Sequence, residues 1–165
     1  MESSPITADY LFQMAERIEQ NGRQFYLLAA EVVPRDAVRE MLLQLAGMEA
    51  DHEKTFSAMR GRLSRQPEAA PPIDPAAETV GYIRALLAGK FFDPQVSPAA
   101  YLKGNESYQE VLLTAIGIQK ETIVFYEGVR QAVAGSPDAE ALEAIIREEM
   151  EHITKLAGAV GRFVR

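Results

Sequence analysis

The chain has 165 residues, 47% of them apolar and 25% charged, which suits one globular core. Its net charge of −7 argues against nucleic acid or an anionic membrane surface as a partner and makes a cation the more natural ligand. Cysteine is absent, which excludes disulfides, thiolate zinc sites and iron–sulfur clusters, so any metal must be held by oxygen and imidazole.

The N-terminus, MESSPITADYLFQ, lacks the basic patch and apolar run of a secretory signal. No stretch approaches the roughly 18 consecutive apolar residues of a membrane span. A cytoplasmic location is the expectation. The first helical pattern runs from about Thr7 to Val33, with Leu11, Ala15, Ile18, Gly22, Phe25, Tyr26 and Ala29 at three- and four-residue intervals, and Pro34 ends it. Asp36 is placed to cap a second helix, to about Leu63, with Val38, Met41, Leu45, Met48, His52 and Phe56 on one side. The short connection makes these two an antiparallel hairpin.

A crossover of about forty residues, 64–106, comes next. It opens on the proline-rich QPEAAPPIDP, holds a short helix over about Ala76 to Gly89, and continues irregularly through FFDPQVSPAAYLKG. Its apolar residues Ile73, Tyr82, Ile83, Leu86, Leu87, Phe91 and Phe92 exceed what a connector needs; they pack over the bundle or form an interface with a second copy. A third long helix is expected from about Ser107 to Ala134, with Val111, Ala115, Ile118, Thr122, Phe125, Tyr126 and Val129 inward. Ser136–Pro137 marks a boundary, and a fourth helix covers about Ala139 to Val164. The result is an all-α, antiparallel four-helix bundle of two hairpins in a single domain over 1–165.

An internal repeat supports the two-plus-two plan. Ala15 through Glu19 runs on to Phe25–Tyr26 as Ala115 through Gln119 runs on to Phe125–Tyr126, and Glu49-Ala-Asp-His52 is matched by Glu149-Met-Glu-His152. Both histidines of the chain therefore follow a glutamate by three residues, which chance would produce about one time in a hundred. Positions i and i+3 share a helix face, so each pair can grip a cation. A lone helical histidine is more often satisfied within a core or cap, but two copies in matching hairpins favour metal. Two such helices plus a carboxylate from each remaining helix form a di-metal centre.

Glu19, at the edge of the first helix's apolar stripe, is the candidate there, since a charge in that position is costly unless paired or metal-bound; Gly22, one turn on, leaves room for the site or for close helix approach. The repeat sets Gln119, a weak neutral donor, opposite Glu19. Glu121 is the nearest carboxylate but lies about 200° around the helix from it, and reaches the site only if a π-bulge turns the helix. Gln119 inward with Glu121 outward is the favoured of the two. Tyr26 and Tyr126 either hydrogen-bond carboxylates of the neighbouring helix or fill the core. Asp51, Glu53, Glu148 and Glu151 flank the motifs, most of them as solvated helix surface.

At AERIEQNGRQFY, EADHEKTF, GYIRALL, AIGIQKETIVFY and EEMEHITKL, in order and spacing across nearly the whole chain, the sequence resembles the rubrerythrin-like branch of the ferritin-like superfamily, in its short form without a rubredoxin segment. The resemblance implies metal ligation by Glu19, Glu49, His52, Glu149 and His152, with Glu49 and Glu149 bridging two ions. That family usually has glutamate where this chain has Gln119. Three carboxylates then face two divalent ions, and one metal position is expected to be weaker, or completed by water or an external carboxylate.

The resemblance also implies an iron pair that reduces hydrogen peroxide or dioxygen, an external electron-donor protein in place of the rubredoxin segment, and a homodimer. Carboxylate and imidazole suit manganese and zinc as well as iron. The competing expectations are iron sequestration without sustained turnover, which Gln119 and the missing electron-transfer segment favour, and a bundle whose site has decayed into a scaffold.

Overall fold

The computed structural model describes residues 6–74, 77–88 and 96–161. Among them all regular structure is helical: α1 (Ala8–Val32), α2 (Asp36–Arg65), α3 (Glu78–Leu87), α4 (Tyr108–Ala132) and α5 (Pro137–Gly161), with 3₁₀ turns at Pro67–Ala69 and Pro98–Tyr101. No described helix is long and apolar enough to cross a membrane.

Local chemistry sets the ends. The Thr7 hydroxyl accepts from the Tyr10 amide at 3.2 Å to start α1, and Pro34 stops it. Arg39 then reaches back from α2, donating to the carbonyls of Ala30 at 3.2 Å and Val33 at 3.1 Å, which would otherwise lack partners at the end of α1. Asp36 does not cap α2 as the sequence suggests. It is the first helical residue, the N-cap position falls on Arg35 without a side-chain bond, and Asp36 instead holds Arg39 at 2.7 Å. A capping box of Ser107 and Glu110 begins α4, where the Ser107 amide donates to Glu110 at 2.8 Å and the Glu110 amide to the Ser107 hydroxyl at 3.3 Å.

The fourth bundle helix, α5, starts two residues earlier than expected, because proline is well suited to the first helical position. Its buried Asp138 pairs with Arg62, near the end of α2, which itself runs two residues beyond Leu63. The residues from Arg162 onward and Phe91 and Phe92 of the crossover lie outside the described residues.

α1 packs along α2 and α4 along α5, so the bundle is two hairpins face to face. The inward residues expected on α1 and α4 are all buried; on α2, Met41 and Met48 are only partly so. Aromatic rings fill one end of the core, with Phe56 6.4 Å from Phe12 and 5.2 Å from Tyr126 between ring centres. The crossover helix α3 buries Val80 and Ile83 and rests on α4 at Gly128, where a Cβ would stand 3.2 Å from Ile83 and 3.3 Å from Tyr82. Much of the crossover's apolar surface thus packs over the bundle, while Tyr82 stays partly exposed. The periodic apolar faces leave one polar layer at mid-bundle, and that layer is where chemistry can occur.

Candidate metal centre

Six polar side chains meet in this layer with almost no solvent contact: Glu19 from α1, Glu49 and His52 from α2, Gln119 from α4, and Glu149 and His152 from α5. Burying so many ionisable groups is costly unless each is paired or bound to a cation. Each bundle helix contributes because its apolar stripe turns one polar position inward at this height.

His52 Nδ1 lies 3.0 Å from Glu149 Oε1 and 3.4 Å from Glu19 Oε2. His152 Nδ1 lies 2.9 Å from Glu149 Oε2 and 3.3 Å from Glu49 Oε1. The two rings are stacked with centres 5.9 Å apart, and Glu149 sits between both imidazoles. Glu49 packs against the α1 backbone at Gly22, where an added Cβ would come within 3.1 Å of Oε2, so of the two roles expected of that glycine it is room for the site that the geometry shows.

The tyrosines close the layer. Tyr126 donates its hydroxyl proton to Glu19 Oε1. Tyr26 does not meet a carboxylate: its oxygen accepts from the Gln119 amide at 2.8 Å, and the same amide nitrogen donates to Glu49 Oε1 at 2.9 Å. Since α4 is unbroken α-helix, Gln119 faces the centre and Glu121 faces solvent, and no π-bulge exchanges them.

Several atoms aimed inward lack a hydrogen-bond partner: Glu19 Oε2, His52 Nδ1, Gln119 Oε1 and both oxygens of Glu149. Glu149 Oε1 lies within ion-pair distance of His52 Nδ1 and Glu149 Oε2 within that of His152 Nδ1, but off the line a hydrogen bond requires. Glu19, Glu49, His52 and Glu149 each offer a donor atom, and these atoms lie within 4.8 Å of one another. Carboxylate oxygens and an imidazole nitrogen in such a knot are a donor set for a transition-metal cation, and the unpartnered atoms are what such a cation satisfies.

Electrostatics follow from the crowding. Burial first, then the neighbouring Glu49 carboxylate, holds Glu19 well above the usual carboxylate range. Burial works against charge on His52, but the carboxylates of Glu149 and Glu19 outweigh it and push the imidazole up to about 12. His152 is pushed up to about 9, with Glu149 and Glu49 overcoming the same burial. Burial would raise Glu149 too, yet the two imidazoles hold it below its ordinary value. Both tyrosines are raised by burial and then by a nearby carboxylate, Glu49 for Tyr26 and Glu19 for Tyr126, so both hydroxyls stay protonated.

Asp51 and Glu151 are exposed on the outer faces, and Glu53 takes a bond from Gln20 at 2.8 Å. Glu148 is the exception among the flanking residues. Its Oε2 lies 2.9 Å from His52 Nε2, across the gap between α5 and α2. The signal for it was faint: in the repeat, Glu148 replaces the Met48 of the first hairpin.

Two helix hairpins that close on a buried carboxylate–imidazole centre have the architecture of the ferritin-like proteins. The fold matches the crystal structure of a proposed ferritin-like diiron-carboxylate protein from Thermotoga maritima, with a TM-score of 0.66 over 99% of this chain and 100% of that one. At 20% identity this likeness concerns the fold. A family model for rubrerythrin matches residues 11–160, and the chain belongs to the rubrerythrin family. No curated protein matches it.

Proposed function

We propose that the chain is a di-iron carboxylate oxidoreductase that reduces hydrogen peroxide or dioxygen. The observation that carries this reading is the set of buried donor atoms left without hydrogen bonds at the meeting point of four helices. Each such atom costs about 1–3 kcal/mol when unsatisfied, and bound cations remove that cost. Glu19 and His52 would hold one ion, Gln119 and His152 the other, with Glu49 and Glu149 shared between them. Iron is the ion favoured by family membership, although manganese and zinc accept the same donors.

A bound iron pair supplies one electron from each ion toward cleaving an O–O bond, which turns peroxide, two electrons and two protons into two waters. The chain's own groups set the conditions. The buried aromatic and aliphatic layers keep bulk water from the centre. Tyr126 fixes one oxygen of Glu19 and leaves the other free for ligation. His52 and His152 give up their Nδ1 protons when a cation binds, so loading releases protons. Electrons for repeated turnover would enter from outside these 165 residues, which hold no cysteine for an iron–sulfur relay.

Gln119 favours a second reading, iron binding without sustained turnover. A neutral amide in place of a carboxylate offsets less of the charge that builds on oxidised ions. The test is to load the protein with ferrous iron anaerobically and add peroxide in excess with a supplied reductant. Repeated oxidation supports the oxidoreductase. A single oxidation event per centre supports sequestration, and protein that takes up no iron overturns both.

A further inference from the structure

We propose that Glu148 is the positioning residue for His52, fixing that ring so that Nδ1 faces the metal centre and making the Glu19 half of the centre the tighter one. This rests on the metal-centre reading above. An imidazole that ligates through one nitrogen carries its proton on the other, and an acceptor placed at that second nitrogen fixes both tautomer and ring orientation.

Glu148 has the geometry for this role. Its carboxylate meets His52 Nε2 at 2.9 Å, while Nδ1 on the opposite edge of the ring faces Glu149 and Glu19. No lysine or arginine lies within ion-pair distance of Glu148 among the described residues, so the carboxylate is not occupied as half of a surface pair. Its side chain is 47% accessible while that of His52 is 5% accessible, so Glu148 reaches from the surface to the one edge of the ring that the centre does not use.

The other half has no counterpart. The repeat places Met48, a thioether, where Glu148 would have its equivalent, and Nε2 of His152 is buried without any hydrogen-bond partner. The same half carries the neutral Gln119, whose amide nitrogen already donates to Glu49 and lies 3.5 Å from His152 Nδ1. Glu19, Glu49, His52 and Glu149 form the compact donor group, and His152 is outside it. Orientation, charge and donor spacing thus favour the same half, where a first ion binds.

The experiment titrates metal-free wild type, E148A and E148Q with cobalt(II), followed by its visible ligand-field absorption, with circular dichroism to verify the fold. Wild type is expected to take one ion more tightly than the second. E148A should weaken that first ion about 10-fold or more and leave the second within about 2-fold, the usual scale for a lost outer hydrogen bond to a ligand. E148Q should restore most of the first-ion affinity, because its amide oxygen still accepts from Nε2–H. In the zinc-loaded protein, the His52 Nε2 proton should give a slowly exchanging NMR signal that E148Q keeps and E148A loses. Unchanged first-ion binding in E148A overturns the proposal and leaves the metal centre intact, and so does an E148Q variant as weak as E148A. Failure of wild type to bind cobalt or zinc at all overturns the metal centre, and this proposal with it.

Discussion

The two halves of the centre share a backbone plan and differ in chemistry. On one side Glu19 is held by a tyrosine hydroxyl, and His52 is gripped at both nitrogens by carboxylates. On the other, Gln119 brings no charge, its tyrosine accepts rather than donates, and the outer nitrogen of His152 is bare. The apolar layers above and below are equally well buried in both hairpins. Packing therefore sets the same frame in both halves, and the halves differ in the donors that frame carries. The difference teaches that a duplicated fold need not carry a symmetric site.

Single histidine substitutions test that asymmetry most severely. H52A should lose the tight ion, H152A should still retain about one ion per chain, and the double variant should hold none after dialysis, on the scale expected for removal of a direct ligand. Elemental analysis measures all three. Equal losses in the two single variants would break the comparison.

Supplying the missing carboxylate should bring the halves together. In Q119E the second ion is expected to bind about 10-fold more tightly or better, while the metal-free protein loses about 1–3 kcal/mol from an added buried charge beside Glu49. Metal titration and urea melts of the stripped protein read the two effects, which should have opposite signs.

The metal-free chain should also weaken as pH rises. His52 and His152 hold their protons more tightly folded than unfolded, so their stabilisation is complete below the ordinary imidazole value of 6.5. It is then lost as pH climbs, through about 9 for His152 and toward about 12 for His52. Glu19, held high, has the same sign from its ordinary 4.5 upward, whereas Glu149, held low, contributes stability above 4.5 that disappears in acid. Thermal melts of the stripped protein should therefore show a falling melting temperature above pH 6.5. Metal-loaded protein, with both imidazoles already neutral, should show a flatter profile.

The smallest contrast lies in the tyrosines. Y126F leaves a buried Glu19 oxygen unpartnered and should cost about 1–3 kcal/mol, whereas Y26F leaves Gln119 still bonded to Glu49 and should cost about 1 kcal/mol or less. Urea denaturation of the two variants decides it.

Much of this was readable from the chain. Long apolar stripes with a 3.6-residue period specify helices because burying them outweighs weak local preferences, and the two E-x-x-H pairs placed Glu49, His52, Glu149 and His152 on facing surfaces. A regular α4 turns Gln119 inward and points Glu121 away, as its continuous helical geometry shows. Glu148 escaped because its partner lies on another helix, and no spacing along one chain segment encodes a contact across a groove. Helix starts were blurred for a related reason: Asp36 and Pro137 fit equally well just outside a helix or just inside it, and the Arg39 bonds to Ala30 and Val33 form only once α1 and α2 close on each other, the Asp138–Arg62 pair only once the two hairpins dock.

The division of donors between hairpins has a kinetic consequence. The α1–α2 pair brings Glu19, Glu49 and His52 to the centre, and the α4–α5 pair brings Gln119, Glu149 and His152, so an ion bound there would be a rivet through both leaves of the bundle. Such an ion would not depart while all its bonds persist, and the leaves would not part while it stays. Metal off-rates and the slowest amide exchange in this core should accordingly report a common opening event.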